Sequence, residues 1–175
     1  MAMTPREVVR RTVTFQNPDR IPYYLPPEFG SDFHEVNIDP SPDGRPGNGV
    51  DEWGCEWENI GICWLGEVKR YPLVDWSDWD RLPKPDIRES RRWEAVKGIR
   101  ARAGDHYLLA YGISLYERVH FLRGLENTWV DIHENPRELE RLIDLLVEMN
   151  RYAIERYAAA GVDGYLFCDD WGLQN

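Results

Sequence analysis

The stretch from Asn135 to Asp170 constrains the fold of this chain more than any other. Asn135 is suited to cap a helix, Pro136 to its first position, and Glu138 follows in the first turn. Leu139, Leu142, Ile143, Leu146, Met149, Ala153, Ile154 and Tyr157 then recur on one stripe at helical spacing, up to about Ala160. Gly161 ends the run. The apolar tetrad Tyr165-Leu166-Phe167-Cys168 follows and reads as a buried strand, with two adjacent aspartates, Asp169 and Asp170, directly after it. Carboxylates just past the C-terminal end of such a strand stand where α/β enzymes keep their chemistry.

The preceding elements extend the same alternation. Tyr107 to Tyr111 is a compact apolar strand closed by Gly112; Ser114 then caps a helix, with Glu117 at the capping-box position. A helix from about Glu89 to Ala103 ends at Gly104. Helix, strand, helices and strand in this order imply parallel strands joined by right-handed crossovers. Toward the N-terminus, Thr4-Pro5-Arg6-Glu7 is a helix start running to about Phe15, and Ile21 to Leu25 is a short strand candidate. Residues 26–50 are rich in Pro, Gly, Asp and Ser and read as a long surface loop. Residues 51–68 alternate around Asn59-Ile60-Gly61 as a β-hairpin, and the proline-punctuated segment after it crosses the surface.

Composition excludes several functions. A formal net charge of −10 lacks the basic face that a nucleic-acid partner or an anionic membrane requires. No stretch approaches the ~20 apolar residues of a membrane span. The three cysteines, Cys55, Cys63 and Cys168, have no metal-ligand spacing and suit reduced thiols, so the expected location is the cytoplasm.

Each candidate site residue carries two readings. Asp169 and Asp170 are an acid/base pair, a metal ligand or anchors for a polar substrate, or else one caps the next element and the other is solvated. Tyr111-Gly112-Ile113-Ser114 offers helix N-terminal amides to an anion, or is an ordinary capped start. Asp51, in Asp51-Glu52-Trp53-Gly54, is a substrate-facing acid or the polar start of a hairpin whose Trp53 packs into the core. His120 is an acid/base group or a structural histidine, while His34, His106 and His133 show no partner at ligand spacing. Asp39, Ser41, Asp43 and Gly44 imitate a calcium loop, but its twelfth position is Val50 rather than Glu, and the reading is rejected.

Four segments in order resemble the uroporphyrinogen decarboxylase superfamily: TPREVVRRTVTFQNPDRIPYY, DEWGCEWE, YGISLYERVHFLRGLENTWVDIHENPREL and GVDGYLFCDDWGLQN. The resemblance implies a (β/α)8 barrel with its site at the C-terminal strand ends, here with an N-terminal helix, a hairpin insertion, and barrel strands and helices over 105–175. The decarboxylase's catalytic aspartate matches Asp51, whereas its active-site tyrosine falls on His120 and its serine on Asp169. Its arginine-rich segment after the first strand corresponds to Ile21–Leu25, which has no arginine. The CDDWG form is more similar to methyltransferase-type members, which pass a methyl group from a small donor to a corrinoid protein. The resemblance therefore implies Asp51, Asp169 and Asp170 as catalytic, Ser114, His120 and Tyr111 as substrate-binding, and a small-molecule substrate with a corrinoid protein as partner. It also implies zinc in a complete homologue, although no His or Glu with cysteines forms such a ligand set in this chain. Uroporphyrinogen decarboxylation is the alternative. A complete barrel takes ~250 residues, so the chain is expected to be the N-terminal half of one domain. A third reading is then an inactive fragment that folds with a partner or as a homodimer.

Overall fold

The computed structural model describes residues 2–61 and 66–170, a mixed α/β protein that divides into two compact units. Residues 2–39, 90–111 and 152–166 form the first; residues 40–61, 66–89, 112–151 and 167–170 form the second. Helix α5 (Pro136–Ala159) contributes residues to each.

The first unit is built on a three-stranded parallel sheet of β1 (Phe33–Glu35), β5 (Tyr107–Tyr111) and β6 (Gly164–Leu166), adjacent in that order. The pairing Phe33 to Tyr107, Glu35 to Leu109 and Tyr111 to Leu166 puts alternate residues on opposite faces. Leu108 and Ala110 are fully buried on one face. Phe33, Tyr107, Leu109 and Tyr111 on the other are only half-buried, and Glu35 and Leu166 are exposed. Helix α1 (Pro5–Val13) packs beside β5 with Val8 and Val9 buried, and Thr4 caps it by accepting from the Glu7 amide at 3.3 Å. Asp163 ties the unit together. Its carboxylate accepts from the Leu108 amide at 2.9 Å and pairs with Arg6 and Arg100 at 2.5 and 2.8 Å. That one side chain therefore joins the start of β6 to β5, α1 and the short helix α2 (Ile99–Arg102).

Several expectations in this unit are corrected. Ile21–Leu25 is not a strand; Pro22, Pro26 and Pro27 remove ladder donors, and Asp32 takes the local polar groups instead. Its carboxylate accepts from Arg20 and from the Tyr23 amide at 2.6 Å, and its own amide donates to the Tyr23 carbonyl. The first strand lies within the expected 26–50 loop, as β1, because three residues are too few to show a pattern without their β5 partner. The continuous helix expected over Glu89–Ala103 is a 3₁₀ segment (Ser90–Val96) followed by α2. Gly98 stands between them with φ +64, a left-handed turn that ends one run before the next.

In the second unit, β2 (Gly49–Val50), β3 (Glu56–Asn59) and β4 (Gly66–Arg70) form an antiparallel sheet. The expected hairpin is thus present with a third strand, and residues 62–65 lie outside the described residues. Trp53 is fully buried and its indole donates to the Pro42 carbonyl at 2.6 Å. Helices α3 (Tyr116–Arg123) and α4 (Leu125–Glu134) follow. Along α5, Leu142 and Leu146 are fully buried, whereas Ile143 and Ile154, expected on the same stripe, are 39% and 41% exposed. Buried Asn150 takes a place on the inner side instead. Its side chain bonds both the amide and the carbonyl of Ile113 at 3.0 Å, fixing the turn between β5 and α3. Among the described residues no helix is long and apolar enough to cross a membrane.

Candidate functional site

Most of the singled-out residues collect in the second unit, around helix α3. Ser114 does not cap that helix; the residue before the first turn is Leu115, with no side-chain cap of its own. The cap comes from far along the chain. Asp169 Oδ2 accepts from the Leu115 and Tyr116 amides at 2.7 and 3.3 Å, and Oδ1 accepts from the Glu117 amide at 2.9 Å. These amides have no partner inside the helix, and a carboxylate also meets the positive end of the helix dipole. The helix that Asp169 caps precedes it by some fifty residues, whereas the expected cap was on the element that follows. Asp170 is exposed and makes no hydrogen bond with the described residues. Asp169→Ala should therefore cost about 1 kcal/mol of stability, with Asp169→Asn less affected. An unchanged urea midpoint in the alanine variant would contradict the cap.

Ser114 is fully buried and serves the ion network beneath the helix start. Its hydroxyl donates to Asp43 Oδ1 at 2.8 Å and accepts from Arg45 Nη2 at 3.3 Å. Asp51 is likewise enclosed, its side chain 4% exposed. Oδ1 accepts from the Trp53 and Cys55 amides at 3.0 and 2.9 Å, and Oδ2 from the Trp57 indole and Arg118 at 3.1 and 2.9 Å. Four bonds occupy the acceptor capacity of a carboxylate. Asp51 thus holds the β2–β3 turn against α3, which is the polar-start reading rather than the substrate-facing one.

Arg118 joins the two carboxylates. It is completely buried, donating to Asp51 and to Asp43 Oδ1, the latter at 3.2 Å. Arg45 is the more open of the two arginines. Its Nη2 reaches Glu117 at 2.7 Å and the Cys168 carbonyl at 3.5 Å, and its guanidinium lies 5.2 Å from the Phe121 ring centre. Nε and Nη1 of Arg45 have no partner among the described residues. Neither arginine nor Asp43 stood out in the sequence. Asp43 was considered only within the rejected calcium loop, and no pattern marks an arginine that will be buried.

His120 sits between Tyr116 and Phe121, with ring centres 5.3 and 4.7 Å away. Its Nε2 is shielded from solvent and has no hydrogen-bond partner among the described residues. Burial, and after it the Arg45 guanidinium, hold its pKa below the ordinary value. In the unfolded chain the imidazole takes up its proton near pH ~6.5, and in the folded one only at lower pH. The unfolded state therefore binds more protons in this window, so stability should be full above about pH 6.5 and fall as pH drops through it. His120→Gln should flatten that part of a stability-against-pH curve; an unchanged slope would refute the assignment.

Tyr111 belongs to the first unit, where its hydroxyl bonds that of Tyr24 and its amide donates to Asn37 at 2.8 Å. Cys55 is buried, its thiol donating to the Phe121 carbonyl at 3.2 Å, and burial followed by the Asp51 charge pushes it up to about 12. Among the described residues no three His, Cys, Asp or Glu side chains come together to hold a metal ion.

No family model, curated protein or solved structure matches this chain.

Proposed function

We propose that the chain forms an arc of a uroporphyrinogen decarboxylase-type (β/α)8 barrel and acts as a methyltransferase-type member of that superfamily. The observation that carries this reading is the parallel sheet of β1, β5 and β6. Its strands are adjacent in chain order, with one face buried and the other left half-open. Parallel sheets are ordinarily covered on both faces, and in a barrel the second face turns inward onto the other strands.

The reaction moves a methyl group from a small donor to the cobalt of a corrinoid protein; the donor atom keeps the bonding electron pair and takes up a proton. Around helix α3, His120, Asp170 and Arg45 keep hydrogen-bonding capacity that no described residue takes up. Neutral His120 offers Nε2 to the donor, Asp170 offers a carboxylate, and Arg45 offers the separate Nε and Nη1 donors that its neighbours leave unused. Asp51, Asp169 and Ser114 hold these groups in place.

Arg45 keeps uroporphyrinogen decarboxylation as a second reading. The segment after the first strand, once that strand is placed at β1, does carry an arginine. The test is a reduced corrinoid protein mixed with this chain and a panel of small methyl donors, followed by the spectral change of cobalt methylation. Turnover is expected with one donor class, reduced at least about tenfold by His120→Gln. Absence of methylation together with decarboxylation of uroporphyrinogen would replace the first reading by the second.

A further inference from the structure

A second cluster of polar groups lies in the first unit and does not enter the proposed methyl transfer. Glu35 is the last residue of β1 and Tyr111 the last of β5. Glu35 Oε1 accepts a short hydrogen bond from the Tyr24 hydroxyl, which also bonds the Tyr111 hydroxyl. The Tyr111 hydroxyl lies 3.4 Å from the same carboxylate oxygen. Burial, and then the bond to Glu35, raise the Tyr24 phenol well above its ordinary value, so it stays protonated and donating. Both phenols thus serve one oxygen, and Oε2 has no partner among the described residues.

Beside this carboxylate is a cavity of about 510 Å³, a volume typical of small-molecule sites. Its walls include Tyr24, Leu25, Phe33, His34, Glu35 and His106. The Tyr24 and Phe33 rings meet edge to face at 5.1 Å, and the two imidazoles are 6.4 Å apart. No lysine or arginine is among the described residues of the lining. A carboxylate with one free oxygen, set among aromatic rings in a pocket lined by no described lysine or arginine, matches a particular chemistry. Aromatic faces attract cations that carry no strong hydration shell, above all methylated ammonium groups.

We propose that this cavity binds a small organic cation of the methylated ammonium class, with Glu35 as counter-ion and the Tyr24 and Phe33 rings as its cation–π walls. The full chain can be titrated by calorimetry with choline and with 3,3-dimethylbutan-1-ol, its neutral carbon isostere. Choline should bind saturably, and the isostere several-fold more weakly, the scale of a cation–π contact at exposed rings. Glu35→Gln, which keeps the shape and removes the charge, should weaken choline by about tenfold, and Phe33→Leu by several-fold. Both variants should keep the parent melting transition; if Glu35→Gln does not fold, Phe33→Leu and the isostere comparison on the parent chain decide. Equal binding of choline and its isostere overturns the proposal, as does no binding of either. Displacement of choline by Zn²⁺, lost in His34→Ala, would reassign the cavity to a metal and overturn it too.

Discussion

Replacing Arg118 with methionine is expected to lower the unfolding free energy by about 3–5 kcal/mol, the cost of leaving buried charge unpaired. The guanidinium is wholly enclosed, bonded to Asp51 at 2.9 Å and Asp43 at 3.2 Å, with the Trp53 and Phe121 ring centres 5.7 and 5.5 Å away. Asp43 would keep Arg45 as a partner; Asp51, 4% exposed, would keep only neutral donors. The loss thus falls mainly on Asp51. A triple variant, Arg118→Met with Asp43→Asn and Asp51→Asn, should recover much of the stability, because no unpaired charge then remains. Urea unfolding at constant slope measures both. A loss below about 1 kcal/mol in the single variant would mean that the carboxylates are solvated, as in a surface pair.

Asp131→Ala should be comparably damaging, by about 3–5 kcal/mol and a fall in Tm on the order of 10 °C. Asp131 and Arg123 are 2% and 4% exposed and meet at 2.6 Å. Asp131 also accepts from the Trp76 indole at 3.2 Å and the Asn135 side chain at 2.8 Å. Arg123 donates onward to the Leu73 and Val74 carbonyls at 2.5 and 2.6 Å, under the Trp76 ring at 4.2 Å. The pair therefore holds the segment at 73–76 to α3 and α4. Asp131→Asn keeps an acceptor and should lie between the alanine variant and the parent; equal stability of all three would show that the network contributes nothing.

Elements with a local cause were legible beforehand. Helix α1 has its cap and first-position proline, and α5 its stripe and the stop at Gly161, where the Val162 amide returns to the Tyr157 carbonyl at 3.0 Å. Strand β5 has a compact apolar run. The three-residue strand β1 was not legible, since its identity rests on a ladder to β5 more than seventy positions away. The break at Gly98 was missed because a helical window tolerates one glycine. In the site, the Trp53-in-the-core reading of Asp51-Glu52-Trp53-Gly54 was weighed, but no local pattern could choose between it and its alternative. The aspartate pair was read as capping only the element after it, because nothing in the local sequence points back to α3.

By itself the sequence determined most of the alternation of helices and strands and the acidic character that argues against nucleic-acid binding. The buried strand expected over Tyr165–Cys168 is instead Gly164–Leu166, half-buried to exposed, so Phe167 and Cys168 lie outside it and separate β6 from Asp169 and Asp170. Periodicity, capping residues and net charge act over one or two turns of chain or over its whole composition, so they can be read without coordinates. Only the tertiary structure decided which carboxylates are consumed and which stay available. Asp169 closes a helix some fifty residues away, and Asp51 is saturated by four donors from its own turn and α3, whereas Asp170 remains open. A carboxylate's role depends on the donors that surround it, and those donors are brought together by folding rather than by spacing along the chain.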